Sequence, residues 1–471
     1  MQNNVIISNN IQQKLIGYQT DHVRNLITIL KNNNAVLDAS DTGTGKTYTA
    51  AATIATLKLT PIIICPKSVI NVWLKVCKIF NVKPFFVVNY ESIKNGKYYV
   101  GGVRTLCPYL DIKKDTNKTD NTEIKLSYEW NVKNEPNICF VFDEVHKCHD
   151  RHTQNGKLLR YAKDTEKPLI MLSATIADYP EKFKFFFYLL NFIDPVSVKE
   201  NKIDYSEYMK IMLKWIYRDP KPMVRIHNML YPERASRMRV TELGDLFPQT
   251  QITAESYTVS KKREVLIEKH YNIIAKELDK LQSKEVKDKR NILTKILRLQ
   301  QRIELLKVST FVELANDYLY NGFSVVIFVN FTQTLKLLAS MLNTKSLIYG
   351  EQTGQEREKN IENFQINKTK IIICNIKAGG IGISLHDIHG GHPRVSLISP
   401  TWSSIDLTQA LGRINRAGGK TKSLQRIVYI ANTVEDKIAD KLRDKLNNLN
   451  SINNGDLDLT HIIFKATVNK L

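Results

Sequence analysis

Short apolar runs alternate with stretches of helical spacing along the first half of the chain. NAVLDAS, TPIIICPKS and NICFVFDE have the length of strands and end in small or polar residues, whereas YTAAATIATLK and VINVWLKVCKIF have the spacing of helices. The polar residues 101–137, which include KKDTNKTDNTE, predict a surface insertion. Strands that alternate with helices predict a parallel α/β sheet, which binds ligands at the carboxyl ends of its strands.

A second series of the same kind begins near Thr310, with the runs FSVVIFVNFTQTLKLLASML, SLIYG, KIIICNIKAGGIGISL and RVSLIS. Between the two series, apolar residues at alternating spacings of four and three predict a long helix with an apolar seam formed by Ile292, Ile296, Leu299, Ile303 and Leu306. The predicted fold class is therefore α/β, with two parallel-sheet lobes and a helical, basic region between them. We place the lobes at residues 1–192 and 309–445, the region between them at 193–308 and a C-terminal tail at 446–471.

The stretch DASDTGTGKT, between a predicted strand and a predicted helix, is typical of a phosphate-binding loop. Its glycines let the backbone curl so that successive N–H groups point at phosphate oxygens. Lys46 then reaches the β- and γ-phosphates, and Thr47 offers a hydroxyl to Mg²⁺. Ser40 stands where the general pattern has glycine, and a simple turn rich in glycine and threonine is the alternative. The residues expected to contact the nucleotide here are Thr42, Gly43, Thr44, Gly45, Lys46 and Thr47.

Two adjacent carboxylates, Asp143 and Glu144, follow the apolar run ICFVF. Such a pair suits a magnesium–nucleotide site, because one carboxylate can hold the metal while the other orients and deprotonates the attacking water. We assign Asp143 to Mg²⁺ and Glu144 to the water. An acidic pair at a strand end is usually a solvated turn, but the phosphate loop upstream in the same predicted sheet favours the catalytic interpretation.

The second series carries QALGRINR, with Gln409, Arg413 and Arg416. Arginines three residues apart are predicted to share one face of a helix. Guanidinium groups directed at a γ-phosphate stabilise the charge of the transition state. A basic surface helix is the alternative interpretation.

The chain is strongly basic, with 68 Lys and Arg against 47 Asp and Glu and a formal net charge of +21 over 471 residues. This excess is what a polyanionic partner requires, although a solvated lysine-rich surface explains it equally well. Two segments are candidate contacts for a nucleic-acid backbone. Residues 261–307 contain 14 basic and 7 acidic residues, and RASRMRV, residues 234–240, is the second.

Other features bear on location and metal content. The chain has no run of 18 apolar residues and no basic segment followed by an apolar core at its start, which predicts a soluble intracellular protein without fixing the compartment. Six cysteines without a CxxC pair predict reduced thiols. The stretch HKCHDRH contains four potential zinc ligands, but their spacing fits no standard finger, so a zinc site is not favoured.

Taken together and in this order, the motifs resemble those of the superfamily 2 helicases and translocases. The matching stretches are LIGYQT, DTGTGKT, PIIICPKSVINVW, VVNYES, FDEVHK, LSAT, VVIFVNFTQT, ICNIKAGGIGISL and QALGRINR, which cover most of residues 15–440. PKSVINVW, NYES, KAGGIGISL and PTWSSIDLTQALGRINRAGG resemble the Swi/Snf-type branch, and the chain is also similar to transcription-associated DExH helicases of large DNA viruses. The resemblance implies two RecA-like lobes with ATP bound in the cleft between them.

The resemblance also implies roles for individual residues. Gln19, next to Tyr18, matches the glutamine that recognises adenine, and Gln409, Arg413 and Arg416 match the second-lobe motif that completes the nucleotide site. His146 matches the position of the DExH box that communicates with the second lobe, here through Gln409. The residues that would couple hydrolysis to nucleic-acid contact are His146, Ser173, Thr175, Gly380 and Gly382.

The function implied is that of a motor that hydrolyses ATP with Mg²⁺ and moves along or unwinds nucleic acid. Duplex DNA is the favoured substrate, with RNA polymerase or other transcription machinery as a partner to consider. SAT in place of a GTP-type motif, Ser384 in place of Asn and NRAGGK in place of HRIGQ depart from the Swi/Snf-type pattern and argue against nucleosome remodelling. An RNA helicase and a catalytically inactive nucleic-acid-binding scaffold are the alternatives, and the intact Lys46, Asp143 and Glu144 argue against the scaffold.

Overall fold

The computed structural model describes residues 5–115, 125–176, 179–193, 205–243, 250–282, 289–379, 382–401, 403–433, 435 and 462–469. The main division of the chain into two compact units, here named unit 1 and unit 2, falls between residues 244 and 245. None of the helices in the described ranges is long and apolar enough to cross a membrane.

Unit 1 is built on a parallel sheet of six strands, and each of its two hairpins is a separate antiparallel pair. The strands in chain order are β1 (Ala35–Asp38), β2 (Thr60–Cys65), β3 (Phe86–Asn89), β4 (Lys97–Val100), β5 (Val103–Leu106), β6 (Leu110–Asp115), β7 (Lys125–Trp130), β8 (Ile138–Asp143), β9 (Leu169–Leu172) and β10 (Ala235–Ser236). The parallel sheet has the order β10-β1-β9-β8-β2-β3, and the hairpins are β4-β5 and β6-β7. The hairpins include much of the predicted surface insertion, yet Tyr128 and Trp130 of β7 are buried in the core.

Helices cover both faces of the sheet in unit 1. They are α1 (Asn9–Gln12), α2 (Gly17–Asn33), α3 (Lys46–Leu57), α4 (Ile70–Ile79), α5 (Tyr90–Ile93), α6 (Gln154–Lys163), α7 (Lys184–Leu189), α8 (Tyr205–Ile216) and α9 (Pro222–Leu230). Neighbouring residues of one strand pack into different cores: Phe140 and Phe142 of β8 lie in one, and Val141 lies in the other. The strands are therefore apolar throughout, as expected for a parallel sheet buried on both faces.

Unit 2 contains a second parallel sheet, of seven strands in the order β13-β14-β12-β15-β16-β11-β17. The strands are β11 (Thr250–Tyr257), β12 (Ser324–Val329), β13 (Leu347–Ile348), β14 (Ile371–Asn375), β15 (Arg394–Ile398), β16 (Ser423–Ile430) and β17 (Ile462–Asn469). The helices are α10 (Lys261–Gln282), α11 (Lys289–Leu306), α12 (Val308–Tyr320), α13 (Thr332–Met341), α14 (Gly354–Gln365), α15 (Ile376–Gly379) and α16 (Ser404–Leu411). The two sheets confirm the predicted fold class of two parallel-sheet lobes.

The region predicted to separate the lobes contributes to both units. Its strand β10 pairs with β1 in unit 1, whereas β11 pairs with β16 in unit 2. The predicted apolar seam lies on α11, where Ile296, Leu299 and Ile303 are buried in one cluster with side chains of α10. Part of the basic charge there is already matched, because Glu277 accepts from both Lys280 and Lys295.

The six cysteines are all free thiols, and all are buried. Burial raises the pKa of Cys77 to about 11 and that of Cys148 to about 12, so both thiols stay protonated at neutral pH.

Candidate active site

The predicted phosphate loop connects β1 to α3, at the carboxyl end of a strand that has a neighbour on each side. Gly43 and Gly45 have φ angles of 87° and 94°, in the left-handed region that favours glycine. A Cβ atom on Gly45 would lie against Nε2 of Gln19, closer than van der Waals contact allows. Lys46 is the first residue of α3, so the loop ends at a helix N-terminus, where backbone N–H groups favour an anion.

Two side chains of α2, those of Gln19 and Tyr18, bind the loop at the backbone carbonyl of Thr44. Gln19 donates from Nε2 to the carbonyl oxygen of Thr44 at 2.9 Å, and Tyr18 donates from Oη to the same oxygen at 3.0 Å. Gln19 also accepts from the backbone N–H of Ile16 at 2.9 Å. Both polar ends of Gln19 thus bond within the protein, and its recognition of adenine stays a prediction.

Lys46 is held by the loop itself. Its Nζ donates to the carbonyl oxygens of Ser40 at 2.7 Å and Asp41 at 3.1 Å. Burial lowers the pKa of Lys46, and the negative charges of Glu144, Asp38 and Asp143 oppose that effect. The lysine and the predicted catalytic carboxylates therefore share one electrostatic environment.

A buried polar network lies beneath the loop and was not predicted from the sequence. Asp38, at the end of β1, accepts from Thr49 Oγ1 at 3.1 Å and from the N–H of Ser40 at 3.0 Å, and it lies 3.2 Å from Nε2 of His22. Burial alone would raise the pKa of Asp38, but His22 and Lys46 hold it below its usual value. An ionised carboxylate thus fixes both the start of the loop and the first turn of α3.

Asp143 and Glu144 stand at the end of β8, as predicted. Trp73 of α4 donates from Nε1 to Oδ2 of Asp143 at 2.9 Å, and Tyr90 donates from Oη to the backbone carbonyl of Asp143 at 2.8 Å. Burial and the charge of Glu144 raise the pKa of Asp143, whereas the Trp73 hydrogen bond and Lys46 lower it. Trp73 lies in a stretch the sequence pattern already singled out, but nothing local indicated that its indole contacts the carboxylate.

A polar chain connects the acidic pair to the SAT motif. Glu144 Oε2 lies 3.3 Å from His146 Nδ1, which lies 2.9 Å from Ser173 Oγ. Ser173 donates from Oγ to the carbonyl of Thr175 at 2.7 Å, and its own N–H donates to the carbonyl of Asp38 at 3.1 Å. The predicted coupling residues of unit 1 are thus brought together beside the acidic pair. The predicted contact of His146 with Gln409 stays a prediction.

Unit 2 holds the remaining predicted residues, of which Gly380 lies outside the described residues. Gln409 is buried on α16, which begins after Ser403, whose hydroxyl accepts from the N–H of Asp406. Arg413 donates to the carbonyl of Ile383 at 3.3 Å, and Arg416 donates to Ser384 Oγ at 3.0 Å. The two arginines therefore hold the segment that follows Gly382, whose φ of 71° is in the left-handed region.

The prediction that both arginines share one face of a helix is wrong. The helix α16 ends at Leu411, and Gly412 follows it at the C-terminal end. The chain then turns, so that the backbone carbonyl of Arg413 accepts from the N–H of Leu385 at 2.9 Å.

The stretch HKCHDRH, for which the sequence did not favour a zinc site, belongs to no candidate metal cluster: among the described residues no group of three or more His, Cys, Asp or Glu could hold a metal ion. One further sequence interpretation is revised. RASRMRV is not an exposed basic patch. Arg234 donates to the carbonyl of Leu190 and stacks on Phe192, whereas Arg237 forms an ion pair with Asp41 of the phosphate loop.

Comparisons with known proteins agree with this architecture. A family model described as "Type III restriction enzyme, res subunit" matches residues 12–178, and one described as "Helicase conserved C-terminal domain" matches residues 306–418. A protein of Acanthamoeba polyphaga mimivirus, whose name describes an ATP-dependent RNA helicase, is 42% identical over 469 residues, covering 96% of this chain and 86% of that protein.

Two solved structures are similar at low sequence identity. Saccharomyces cerevisiae Dbp5 bound to RNA and ADP BeF3 is 14% identical with a TM-score of 0.47, covering 98% of this chain and 94% of that one. The Sulfolobus solfataricus SWI2/SNF2 ATPase core in complex with dsDNA is 17% identical with a TM-score of 0.38, covering 96% of each chain.

The predicted family is thus confirmed by two matching domains and by a relative that aligns along almost the whole chain. The family uses ATP and binds nucleic acid. The chain belongs to the superfamily 2 helicases and is related to a helicase of a large DNA virus.

Proposed function

We propose that this chain hydrolyses ATP in unit 1 and uses the energy to move along or unwind nucleic acid, with duplex DNA as its substrate. The observation that carries the proposal is the shared electrostatic environment of Lys46, Asp143 and Glu144 beside the phosphate loop. A lysine for phosphate, a carboxylate for metal and a carboxylate for water are the groups that phosphoryl transfer to water requires.

Lys46 is placed to exchange partners when a nucleotide binds. Its ammonium group is held by two neutral carbonyl oxygens, Ser40 O and Asp41 O. A phosphate oxygen is a stronger acceptor because it is charged, so the lysine can turn to the β- and γ-phosphates. The curled segment Thr42–Gly45 offers its backbone N–H groups to the same phosphates.

The residues at the end of β8 fit a magnesium ion. Asp143 is buried, and its pKa is raised because the ionised form is poorly solvated there. A cation bound at this position would stabilise the ionised form. Asp143 and the half-buried Thr47 would hold Mg²⁺, which when bound with ATP neutralises charge on the β- and γ-phosphates.

Glu144 takes the proton of the attacking water in this proposal. Its side chain is kept in place by His146, 3.3 Å away, which in turn contacts Ser173. A base oriented by a second polar group can act at a defined position, and this is the arrangement general-base catalysis needs. The contacts from Glu144 through His146 to Ser173 also offer a route by which the SAT residues Ser173 and Thr175 respond to hydrolysis.

The proposal assigns Gln409, Arg413 and Arg416 to the same nucleotide, with the arginines stabilising negative charge on the γ-phosphate during transfer. Because Arg413 donates to Ile383 and Arg416 donates to Ser384, a pull of the nucleotide on either arginine would move the segment that follows Gly382.

The preference for duplex DNA rests on the Swi/Snf-type motifs, and the +21 net charge is compatible with any nucleic acid. RNA polymerase or transcription machinery is the proposed partner because the chain resembles transcription-associated helicases of large DNA viruses. A second candidate, an ATP-dependent RNA helicase, is favoured by the name of the mimivirus relative.

The test is the steady-state ATPase rate of the wild type, Glu144→Gln and Glu129→Gln without nucleic acid and with duplex DNA, single-stranded DNA or single-stranded RNA. Glu129 is a matched control, since it lies on β7 and pairs with Lys113 at the surface. We expect duplex DNA to stimulate the wild type and Glu129→Gln, and Glu144→Gln to lose about 10²-fold or more in rate.

Each other outcome has a defined meaning. Stimulation by RNA alone would replace the DNA translocase with the RNA helicase. Hydrolysis that persists in Glu144→Gln would remove the catalytic role of Glu144. A wild type that binds nucleic acid but hydrolyses no ATP under any condition would refute the proposal and favour the inactive scaffold.

A further inference from the structure

Residues 235–240, here named the arm, run alongside the first half of the phosphate loop. The N–H of Ala39 donates to the carbonyl of Ser236 at 2.9 Å, and the N–H of Asp41 donates to the carbonyl of Met238 at 3.0 Å. These bonds continue the pairing of β10 with β1 beyond the end of the strand. The start of the loop is therefore held as part of a strand ladder by residues almost 200 positions later in the chain.

Side chains reinforce the contact from both partners. The N–H of Met238 donates to Ser40 Oγ at 2.9 Å, and the N–H of Val240 donates to Asp41 Oδ2 at 2.9 Å. The guanidinium group of Arg237 binds the other oxygen, Oδ1, of the same Asp41 carboxylate. Both oxygens of Asp41 are thus bonded to the arm.

The backbone carbonyl of Asp41 also forms hydrogen bonds inside the phosphate loop. Its carbonyl oxygen accepts from Lys46 Nζ at 3.1 Å and from Thr44 Oγ1 at 2.8 Å. The side chain of Asp41 faces the arm while its carbonyl faces Lys46, so whatever fixes the carboxylate also fixes the acceptor of the lysine.

We propose that Arg237 is a positioning residue for the nucleotide, acting through Asp41 on the phosphate loop and Lys46. This inference rests on the proposed function, because it assumes that Lys46 binds the phosphates of ATP. Arg237 is mostly buried, with 8% of its side chain exposed, so its ion pair is screened less by solvent than a surface pair. Without Arg237 the Asp41 carboxylate keeps the N–H of Val240 but loses its ion pair, so the Asp41 carbonyl that binds Lys46 is held less firmly.

The test compares Arg237→Ala and Arg237→Lys with Arg239→Ala and Lys46→Ala. Arg239 is the matched control, because it is an arginine of the same arm that pairs instead with Glu242. The measurements are the Kd of a fluorescent ATP analogue, the KM and kcat of ATP hydrolysis, the thermal melting temperature, and the Kd for duplex DNA without nucleotide.

We expect Arg237→Ala to raise the Kd and KM for nucleotide about tenfold, equivalent to about 1.4 kcal/mol, with a smaller change in kcat. Arg237→Lys should recover part of the loss, because it restores the charge without the planar fork of guanidinium. Arg239→Ala should match the wild type, and the affinity for DNA without nucleotide should be unchanged in all the arginine variants.

The experiment distinguishes a failure of this inference from a failure of the proposed function. A nucleotide Kd that is unchanged in Arg237→Ala but lost in Lys46→Ala overturns this inference and leaves the proposed function standing. An unchanged Kd in Lys46→Ala removes the proposed function itself. A loss of DNA affinity in Arg237→Ala with normal nucleotide binding also overturns the inference and assigns the arm to nucleic acid.

If Arg237→Ala does not fold, Asp41→Asn takes its place, since the amide keeps an acceptor for the N–H of Val240 and removes the charge that Arg237 binds. The same tenfold loss of nucleotide affinity is expected. Normal affinity in folded Asp41→Asn overturns the inference.

Discussion

Replacing Trp73 with phenylalanine tests how the proposed metal carboxylate is tuned. The indole Nε1 donates to Asp143 Oδ2 at 2.9 Å, and the Trp73 side chain is fully buried. Phenylalanine keeps an aromatic ring in α4 but removes the donor. A hydrogen bond from a neutral donor to a charged acceptor contributes about 1.5–3 kcal/mol, which corresponds to roughly a tenfold to hundredfold change in an equilibrium constant.

Whether the substitution raises or lowers the Mg²⁺ requirement depends on which protonation state of Asp143 the indole stabilises. Burial and the charge of Glu144 raise the pKa of Asp143 to about 7, and the Trp73 hydrogen bond lowers it by stabilising the ionised form. Removing the bond raises the pKa further. Because a proton and Mg²⁺ compete for the carboxylate, the affinity for Mg²⁺ falls as the pH falls below this pKa. Trp73→Phe should therefore require roughly 7-fold to 80-fold more Mg²⁺ at pH 7, and the difference should shrink toward pH 9.

The assay is a titration of ATPase activity with Mg²⁺ at pH 6, 7, 8 and 9. Trp215→Phe serves as the control, because Trp215 is partly exposed and its ring contacts the guanidinium group of Arg225 instead of a carboxylate. Thermal melting of each variant shows whether the smaller ring has damaged the core. Parallel magnesium requirements of wild type and Trp73→Phe at every pH would refute the reasoning, because the hydrogen bond would then have no influence on the ionisation of Asp143.

Two further substitutions test the loop and the core. Gly45→Ala should abolish the rise in melting temperature caused by magnesium and ATP, since the new Cβ would collide with Gln19 and φ is 94°; a wild-type rise would contradict this. Ile303→Ala should destabilise unit 2 by about 2–5 kcal/mol in urea unfolding, whereas Leu293→Ala, at a half-exposed position of the same helix, should cost less than about 1 kcal/mol. Equal effects of the two would show that the seam contributes little.

The parts of the site that the sequence predicted are contiguous in the chain. The glycines, Lys46 and the helix that follows them lie within residues 43–57, and Asp143 directly ends an apolar strand. Local pattern suffices there, because backbone curl, helix start and strand end depend on neighbouring residues. The apolar seam of α11 was predicted for the same reason, since its period is visible within one helix.

The residues that position the site are distant in sequence from what they position. Trp73 and Asp143 are 70 residues apart, and Arg237 and Asp41 are 196 residues apart. Strand β10 has two residues, too few to display an alternating pattern. Nothing in RASRMRV distinguishes an arginine that binds DNA from one that binds Asp41, because the sequence gives the charge of a side chain but not the direction in which it points.

The arginines of the second unit illustrate a different limit. Their spacing of three residues predicts a shared helical face, yet the helix stops before either of them. Gly412 offered a signal, since glycine is common just beyond the end of a helix. Spacing alone therefore does not place Arg413 and Arg416, because the helix ends at Leu411 whatever the period of the residues beyond it.

The burial of all six cysteines makes the chain convenient for site-specific labelling. A maleimide reacts with the thiolate, and thiols with a raised pKa inside the core offer little of it at neutral pH. A single cysteine introduced on an exposed helix position of each unit could therefore carry a dye without first replacing the native ones. Energy transfer between two such dyes would follow the distance between the units through each cycle of turnover.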